Sequence, residues 1–327
     1  MKIGILGATG AVGRQMIISL EERNLDISEL RLFASPRSAG KKLLFHEKEI
    51  EVETVSEKRL YGLDYVLGAV SNELSKQYRP MIEKAGAIYV DNSSAFRMEE
   101  GVPLVVPEIN GEDALAHHGV IANPNCSTII TMMALAPLAR ISRIEKLVTS
   151  TYQAVSGAGI GGLQELEDEM NAVVTGKKTE PHVFRKQIAC NVLAEIGSNN
   201  DNGFTTEEMK MQNEGRKILH MPEMKVDCTC VRVPVMRSHS ISIQAVFEKH
   251  ISPGEAEKAI SSFQGDVLCN EDVPTPLETS DQDLVYVGRI RQSLTEDNGL
   301  VLWCCGDQIR KGAASNAVQI IEFLENR

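Results

Sequence analysis

Cys126 lies in Asn123-Pro124-Asn125-Cys126-Ser127-Thr128, between a proline-fixed turn and the apolar run Ile129 to Leu135. Pro124 presets an extended or turn backbone, and the run after Thr128 reads as a helix. The thiol is therefore expected at a helix N-terminus, where unpaired N–H groups favour negative charge and lower a thiol pKa. Such a position makes a nucleophilic thiolate without a metal. The competing reading is a small buried hydrophobe, the usual fate of a free cysteine. A thiolate nucleophile also needs a base. Of the histidines, His46, His117, His118, His182, His220 and His250 lie mostly in polar stretches, where a solvated ring is the simpler reading. His239 differs, because it opens a strand just after Arg232-Val233-Pro234-Val235-Met236-Arg237-Ser238. It is the favoured general base.

A second chemical signal stands at the start of the chain. Gly7, Gly10 and Gly13 form G-x-x-G-x-x-G between the apolar strand of residues 2–6 and the helical pattern Met16 to Leu20. One glycine allows the tight turn, one lets the backbone approach a pyrophosphate, and one lets helix pack on strand. The helix N-terminus supplies the anion site. An NAD site usually offers Asp or Glu to the ribose 2′-OH at the end of the next strand. Here the chain runs Ala34-Ser35-Pro36-Arg37-Ser38-Ala39-Gly40-Lys41-Lys42. With no acid there, and with Arg37 and hydroxyls to hold a 2′-phosphate, NADP is the expected cofactor; an exposed basic loop is the plainer alternative. A thiolate beside a hydride acceptor suggests aldehyde oxidation through a thioester.

These groups need a scaffold. Apolar stretches at residues 2–6, 30–34, 63–69, 87–91 and, briefly, 104–106 alternate with helical patterns such as Glu73 to Lys84. That order predicts an α/β chain with a doubly wound parallel sheet. Beyond about residue 145 the segments at 146–152, 226–235, 240–247 and 300–303 read as strands of a mixed sheet with helices on one face. Lys311 to Leu324 reads as one amphipathic helix. The change of pattern places a domain boundary near residue 127. The chain has 327 residues, 43% hydrophobic and 24% charged, with a formal net charge of −11. The negative charge argues against nucleic acid as a partner. No apolar run approaches a membrane span. Cys126, Cys190, Cys228, Cys230, Cys269, Cys304 and Cys305 are odd in number and lack C-x-x-C spacing. They are read as reduced thiols in a cytoplasm, with no metal site.

Asn125-Cys126-Ser127-Thr128 with the glycine turn, Gln153-Ala154-Val155-Ser156-Gly157-Ala158-Gly159, Arg232 to His239-Ser240, Gly306-Asp307-Gln308 and Lys311-Gly312-Ala313-Ala314 together resemble the aspartate-β-semialdehyde dehydrogenase family. The resemblance runs over nearly the whole chain. It implies a Rossmann-type NADP-binding domain over residues 1–127 plus 307–327, an α+β catalytic and dimerisation domain over residues 128–306, and a C-terminal helix that returns to the first. The implied activity is NADP-dependent interconversion of L-aspartate 4-semialdehyde plus phosphate and L-aspartyl 4-phosphate. That step serves lysine, threonine, methionine and diaminopimelate biosynthesis. Cys126 would be the acyl-thioester nucleophile, His239 the acid/base, and Gln153 the group that orients substrate. Arg232 would pair with the substrate carboxylate, Glu214 with its amine, and Lys217 and Arg97 with phosphate, assisted by Asn125. Without the resemblance, Glu214 and Lys217 are a solvated i,i+3 pair. The cofactor residues implied are Gly7, Thr9, Gly10, Ala11, Val12, Gly13, Arg37, Ser38, Ser156, Gly157 and Gln308. A homodimer or homotetramer is implied.

The run Ala69-Val70-Ser71-Asn72 departs from the paired glycines common in the family, which leaves the cofactor contacts of that loop open. One rival is N-acetyl-γ-glutamyl-phosphate reductase, which shares the glycine motif, cysteine and acyl-phosphate chemistry; the Asn-Cys-Ser-Thr setting argues against it. A non-catalytic cofactor-binding paralogue would be expected to lack the cysteine or its histidine.

Overall fold

A computed structural model describes residues 1–23 and 25–327. The chain forms two units, Met1–Asn125 with Ala313–Arg327, and Cys126–Gly312. The sequence-based division placed residues 126–127 and 307–312 with the first unit. They belong to the second because Cys126 starts a helix of that unit, while Gln308 and Arg310 are bonded to Ser156, Ser238, Asp281 and Asp283.

The first unit is built on a seven-stranded sheet. Its strands are β1 (Lys2–Leu6), β2 (Glu29–Ala34), β3 (Lys42–Phe45), β4 (Lys48–Thr54), β5 (Tyr65–Gly68), β6 (Ile88–Asp91) and β7 (Val120–Ala122), in the order β3-β4-β2-β1-β5-β6-β7. All neighbours are parallel except β3 with β4, a hairpin whose turn residues His46 and Glu47 take φ of 45° and 62°. Positive φ at both turn positions matches the right-handed twist of the strands. Helices α1 (Ala11–Glu22), α2 (Glu57–Leu60), α3 (Asn72–Ala85) and α4 (Pro107–Asn110) accompany the sheet, and α10 (Ser315–Glu325) returns to it. Ile3, Ile5, Leu32, Leu67, Val90 and Ile121 meet Ala317, Val318, Ile320 and Ile321 in one buried core. Burial on both sheet faces is why β1 and β5 read as continuous apolar runs.

The expected strand at 104–106 is reduced to a single bridge, Leu104 to Ala122. Pro107 opens α4, and the Val106 N–H goes to Asn110 Oδ1 (2.9 Å) instead of to a neighbouring strand. Strands β3, β4 and β7 were not foreseen; β4 is polar on its outer face, β3 has only four residues with Leu44 exposed, and β7 is only three residues long.

The second unit carries a six-stranded mixed sheet. Strands β8 (Ile144–Gln153), β9 (Lys225–Arg232), β10 (His239–Phe247), β11 (Asp266–Cys269), β12 (Val285–Gln292) and β13 (Gly299–Gly306) run in the order β11-β12-β13-β10-β8-β9. β8 pairs parallel with β9 and antiparallel with β10. Helices α5 (Cys126–Ala139), α7 (Thr206–Ile218) and α8 (Pro253–Ser261) pack together against the sheet, while α6 (Gly159–Thr175) and α9 (Pro276–Thr279) lie near its loops. Along β8, Leu147, Thr149, Thr151 and Gln153 point inward and Val148 and Tyr152 outward, the period of two that a half-covered strand requires. Helix α5 is apolar on every side, and every residue from Ser127 to Leu138 is buried. The expected single helix from Lys311 begins instead with a π-helical turn at Arg310–Ala314.

Candidate active site

In the first unit the glycine turn is made of backbone. Gly7 has φ 77°, and a Cβ there would lie 2.1 Å from Ala69 O. A Cβ on Gly13 would lie 2.2 Å from Gly7 O, so α1 could not approach β1. Gly10 is the N-cap of α1 and brings no side-chain acceptor, which leaves the first-turn N–H groups of Ala11, Val12 and Gly13 open to an anion. Beside the turn is a cavity of about 490 Å³ lined by Gly7, Thr9, Gly10, Ala34, Ser35 and Tyr78, among others; among the described residues its lining includes no carboxylate. Ala69 and Val70 also line it, so the loop lacking paired glycines still forms a wall, and Ser71 caps α3. Arg37 is exposed and Ser38 half-buried in the 3-10 turn Pro36–Ser38 that follows β2. These features fit a dinucleotide with a 2′-phosphate. Leu74 and Tyr78 were missed by sequence reading, which named Ala69 and Val70 but left the contacts of that loop open.

Sheet register assembles the thiol centre of the second unit. Parallel pairing of β8 and β9 sets Gln153 opposite Arg232 at their C-terminal ends. Antiparallel β10 starts at that same end, with Ser240 opposite Tyr152, so His239 arrives next to Gln153. Cys126 is the first residue of α5, and its Sγ lies 3.4 Å from His239 Nε2. Gly312 permits this approach, because a Cβ there would sit 2.9 Å from Cys126 Cβ.

His239 is wholly buried. Burial, and then the Arg232 cation, push its pKa down to about 3 against a weaker pull from Glu207. The ring is therefore neutral near neutral pH. Ala154 N–H donates to Nδ1 (3.1 Å), which leaves the ring proton on Nε2, facing the sulfur. The residue before it, Ser238, takes φ 72°, a left-handed conformation that costs a non-glycine residue of order 1 kcal/mol. It is held by its N–H to Gln308 Oε1 (2.8 Å) and by its hydroxyl to that of Thr279 (2.6 Å). Gln308 in turn donates to the Ser156 hydroxyl.

Arg232 donates to Ala154 O (2.6 Å) and lies over the Phe184 ring at 5.8 Å. Burial lowers its pKa, while the Cys126 and Glu207 charges raise it. Gly157 leaves room for the guanidinium: a Cβ there would come within 2.7 Å of it. The loop carrying Phe184 is fastened from α6, where Glu165 accepts the N–H groups of His182, Val183 and Phe184, and Glu169 those of Ile188 and Ala189.

The structure thus joins Cys126, Gln153 and His239 in direct contact, with Arg232 one backbone link away. Glu214 is buried and Lys217 half-buried on α7, one turn apart. In the first unit, Arg97 is buried with its guanidinium on Asn92 O (2.8 Å), and Asn125 is buried at the unit's end. The expected cofactor residues divide: those from Gly7 to Ser38 lie in the first unit, and Ser156, Gly157 and Gln308 in the second. Sequence reading missed Glu207, whose carboxylate accepts from Gln153 Nε2 (3.3 Å). Among the described residues no cluster could hold a metal ion, and no helix is long and apolar enough to cross a membrane.

Two family models match the chain: "Semialdehyde dehydrogenase, NAD binding domain" over residues 2–117 and "Semialdehyde dehydrogenase, dimerisation domain" over residues 135–311. An aspartate-semialdehyde dehydrogenase of Synechocystis is 44% identical over 100% of this chain and 98% of its own length. The crystal structure of aspartate semialdehyde dehydrogenase II complexed with ASA from Vibrio cholerae is 39% identical. It covers 99% of this chain and 98% of its own, with a TM-score of 0.98. The Candida albicans aspartate semialdehyde dehydrogenase with NADP is 26% identical, with a TM-score of 0.77 over 99% of this chain and 98% of that one.

Proposed function

The chain belongs to the aspartate-semialdehyde dehydrogenase family, and we propose that its residues divide that family's reaction as follows. The protein is an NADP-dependent oxidoreductase of amino-acid biosynthesis that interconverts L-aspartate 4-semialdehyde plus phosphate and L-aspartyl 4-phosphate through a cysteine thioester. The observation that carries the division of labour is the Cys126 Sγ to His239 Nε2 contact of 3.4 Å at the N-terminus of α5.

In the biosynthetic direction the Cys126 sulfur attacks the acyl phosphate carbon and phosphate leaves, giving the thioester. When bound, the cofactor would supply the redox chemistry, its reduced form NADPH giving a hydride to that carbon in this direction and NADP taking one in the other. The Nε2–H of His239 faces the oxygen of the resulting adduct and shares its proton with that oxygen while it carries charge; as the adduct breaks its C–S bond, releasing the semialdehyde and the Cys126 thiolate, the proton returns to Nε2, and aldehyde oxidation retraces these steps. Gln153 orients the carbonyl beside the sulfur. Arg232 pairs with the substrate carboxylate, a planar fork suited to two parallel bonds. Glu214 takes the substrate amine, and Lys217 and Arg97, with Asn125, take phosphate. An acidic chain needs such dedicated cations to overcome its own field. The turn from Gly7 through Thr9, Gly10, Ala11, Val12 and Gly13 would hold the pyrophosphate and Arg37 with Ser38 the 2′-phosphate, while Ser156, Gly157 and Gln308 would complete the cofactor site.

The chain has a dimerisation domain by its family match. The finer reading is a homodimer, or a homotetramer built from one, paired through the sheet face that leaves Val148 and Tyr152 exposed, with Tyr152 against Trp303 at 5.5 Å. Seven free cysteines suit a reducing cytoplasm. The deciding assay is reduction of NADP with aspartate semialdehyde, with and without phosphate or arsenate. Reduction should require the anion. Turnover indifferent to it, or a preference for N-acetylglutamate semialdehyde, would overturn the reading.

A further inference from the structure

α7 opens with two adjacent glutamates in different employment. Glu208 closes a capping box with Thr205 and accepts Cys230 N–H (3.1 Å), so it serves the helix and its strand. Glu207 turns the other way, its side chain only 9% exposed. One oxygen accepts from Gln153 Nε2 (3.3 Å), and the other pairs with Lys210 (2.8 Å) one turn on.

The contact decides something about Gln153 that packing cannot. A carboxamide is nearly the same shape after a flip that exchanges its donor and acceptor ends. The Thr151 hydroxyl bonds Oε1 (2.9 Å), but a hydroxyl either donates or accepts, so it tolerates both orientations. An ionised carboxylate only accepts. It therefore selects the orientation in which the NH₂ group faces Glu207, and the second amide N–H then faces His239 Nε2 (3.5 Å). That ring nitrogen carries its own proton, because Ala154 N–H occupies Nδ1. The two donors cannot bond each other, so an acceptor beside the Cys126 sulfur can receive both. A buried carboxylate is costly, and a glutamine would fill the same volume without a charge, so packing does not account for Glu207.

We infer that Glu207 is a positioning residue for the reaction: it locks the Gln153 carboxamide so that its N–H joins the His239 Nε2–H in facing the substrate oxygen that gains charge next to Cys126. The inference rests on the reading of Gln153 as the group that orients the substrate carbonyl.

The test is a double-mutant cycle in the full-length enzyme, read by steady-state kinetics and thermal unfolding. Glu207→Gln offers Gln153 a donor as well as an acceptor and frees the flip. Its kcat should fall about tenfold, the loss of one oriented hydrogen bond in the transition state, with the phosphate KM and the unfolding midpoint near those of the parent. Placed on Gln153→Ala, the same change should lower kcat less than about twofold, because nothing is left to orient. An equal tenfold loss in both backgrounds, or a parental kcat for Glu207→Gln, would overturn the inference while leaving the role of Gln153 intact. A parental kcat for Gln153→Ala alone would remove both. Glu207→Asp keeps the charge and the acceptor but is one methylene too short to reach the amide. It should lose kcat as the glutamine variant does, so the inference stays exposed to test if Glu207→Gln does not fold. A parental rate for the aspartate variant would reduce Glu207 to a charge and sink the inference.

Discussion

The glycine turn of the first unit and the thiol centre of the second are made from opposite materials. The turn works by lacking atoms: Gly7 and Gly13 are needed because a Cβ would strike backbone, and the groups it offers to an anion are main-chain N–H. The thiol centre works by presenting side chains, and they come from α5, β8, β9 and β10, spread over more than a hundred residues of the chain. A site of absent atoms must be local, since consecutive residues build it. A site of side chains is only as local as the strand register that gathers them.

The contrast can be broken most sharply at its extremes. Cys126→Ser should fold normally and lose at least about 10²-fold in turnover, because a serine alkoxide is far less accessible than a thiolate near neutral pH. Near-parental turnover would remove the thioester route. Gly13→Ala should act in the opposite manner. It leaves the thiol centre untouched but drives a methyl onto Gly7 O, costing about 1–3 kcal/mol of stability and most NADP affinity. Thermal unfolding with and without NADP reads both, and an unchanged melt would show that the turn is looser than its geometry.

Smaller changes sharpen the division of labour. Arg232→Lys keeps the charge and loses the fork, including the bond to Ala154 O, so the semialdehyde KM should rise about tenfold with little change for phosphate. Lys217→Ala and Arg97→Ala should do the reverse, and a two-substrate kinetic matrix distinguishes the outcomes. Arg37→Ala should raise the KM for NADP several-fold and leave that for NAD nearly unmoved; equal effects would make Arg37 a surface charge.

The smallest effect concerns the loop fastened by Glu165. Burial pushes its carboxyl pKa up, but the backbone N–H groups of Val183, Phe184 and His182 outweigh that and hold it below the ordinary carboxylate range. A depressed carboxylate contributes stability that is full above the unfolded-state pKa and is lost as pH falls through the folded one. Acidification should therefore release the segment around Phe184 before the rest of the unit. Hydrogen exchange at residues 182–184 should show this as pH falls below the ordinary carboxylate range, and Glu165→Gln should flatten the dependence.

Much of the scaffold was legible because burial writes itself as apolar runs and alternation, as in β1, β5 and β10. The strand at 104–106 was over-read because apolar residues between two prolines look like any short strand, although Asn110 takes the N–H that pairing would need. The glycine turn was legible outright. Of the thiol centre, Cys126 and His239 could be singled out by their settings, while Gln153 and Arg232 needed a family resemblance to acquire roles. Glu207 had no signature: in Thr205-Thr206-Glu207-Glu208 nothing distinguishes the two adjacent glutamates, and only the fold shows which of them meets Gln153.

Helix α5 has one more consequence. It is 14 residues long and apolar all round, so alone in water it is marginal and has no face to show to solvent. The ordered N–H groups beside Cys126 exist only once sheet, α7 and α8 have closed over that helix. On the role proposed for Cys126, a newly made chain therefore carries an ordinary cysteine, and the reactive one comes into being with the finished unit. The danger of an activated thiol, open to oxidants and stray electrophiles, is withheld until the scaffold that governs it is complete, and the rate of its alkylation during refolding is a clock for the last stage of assembly.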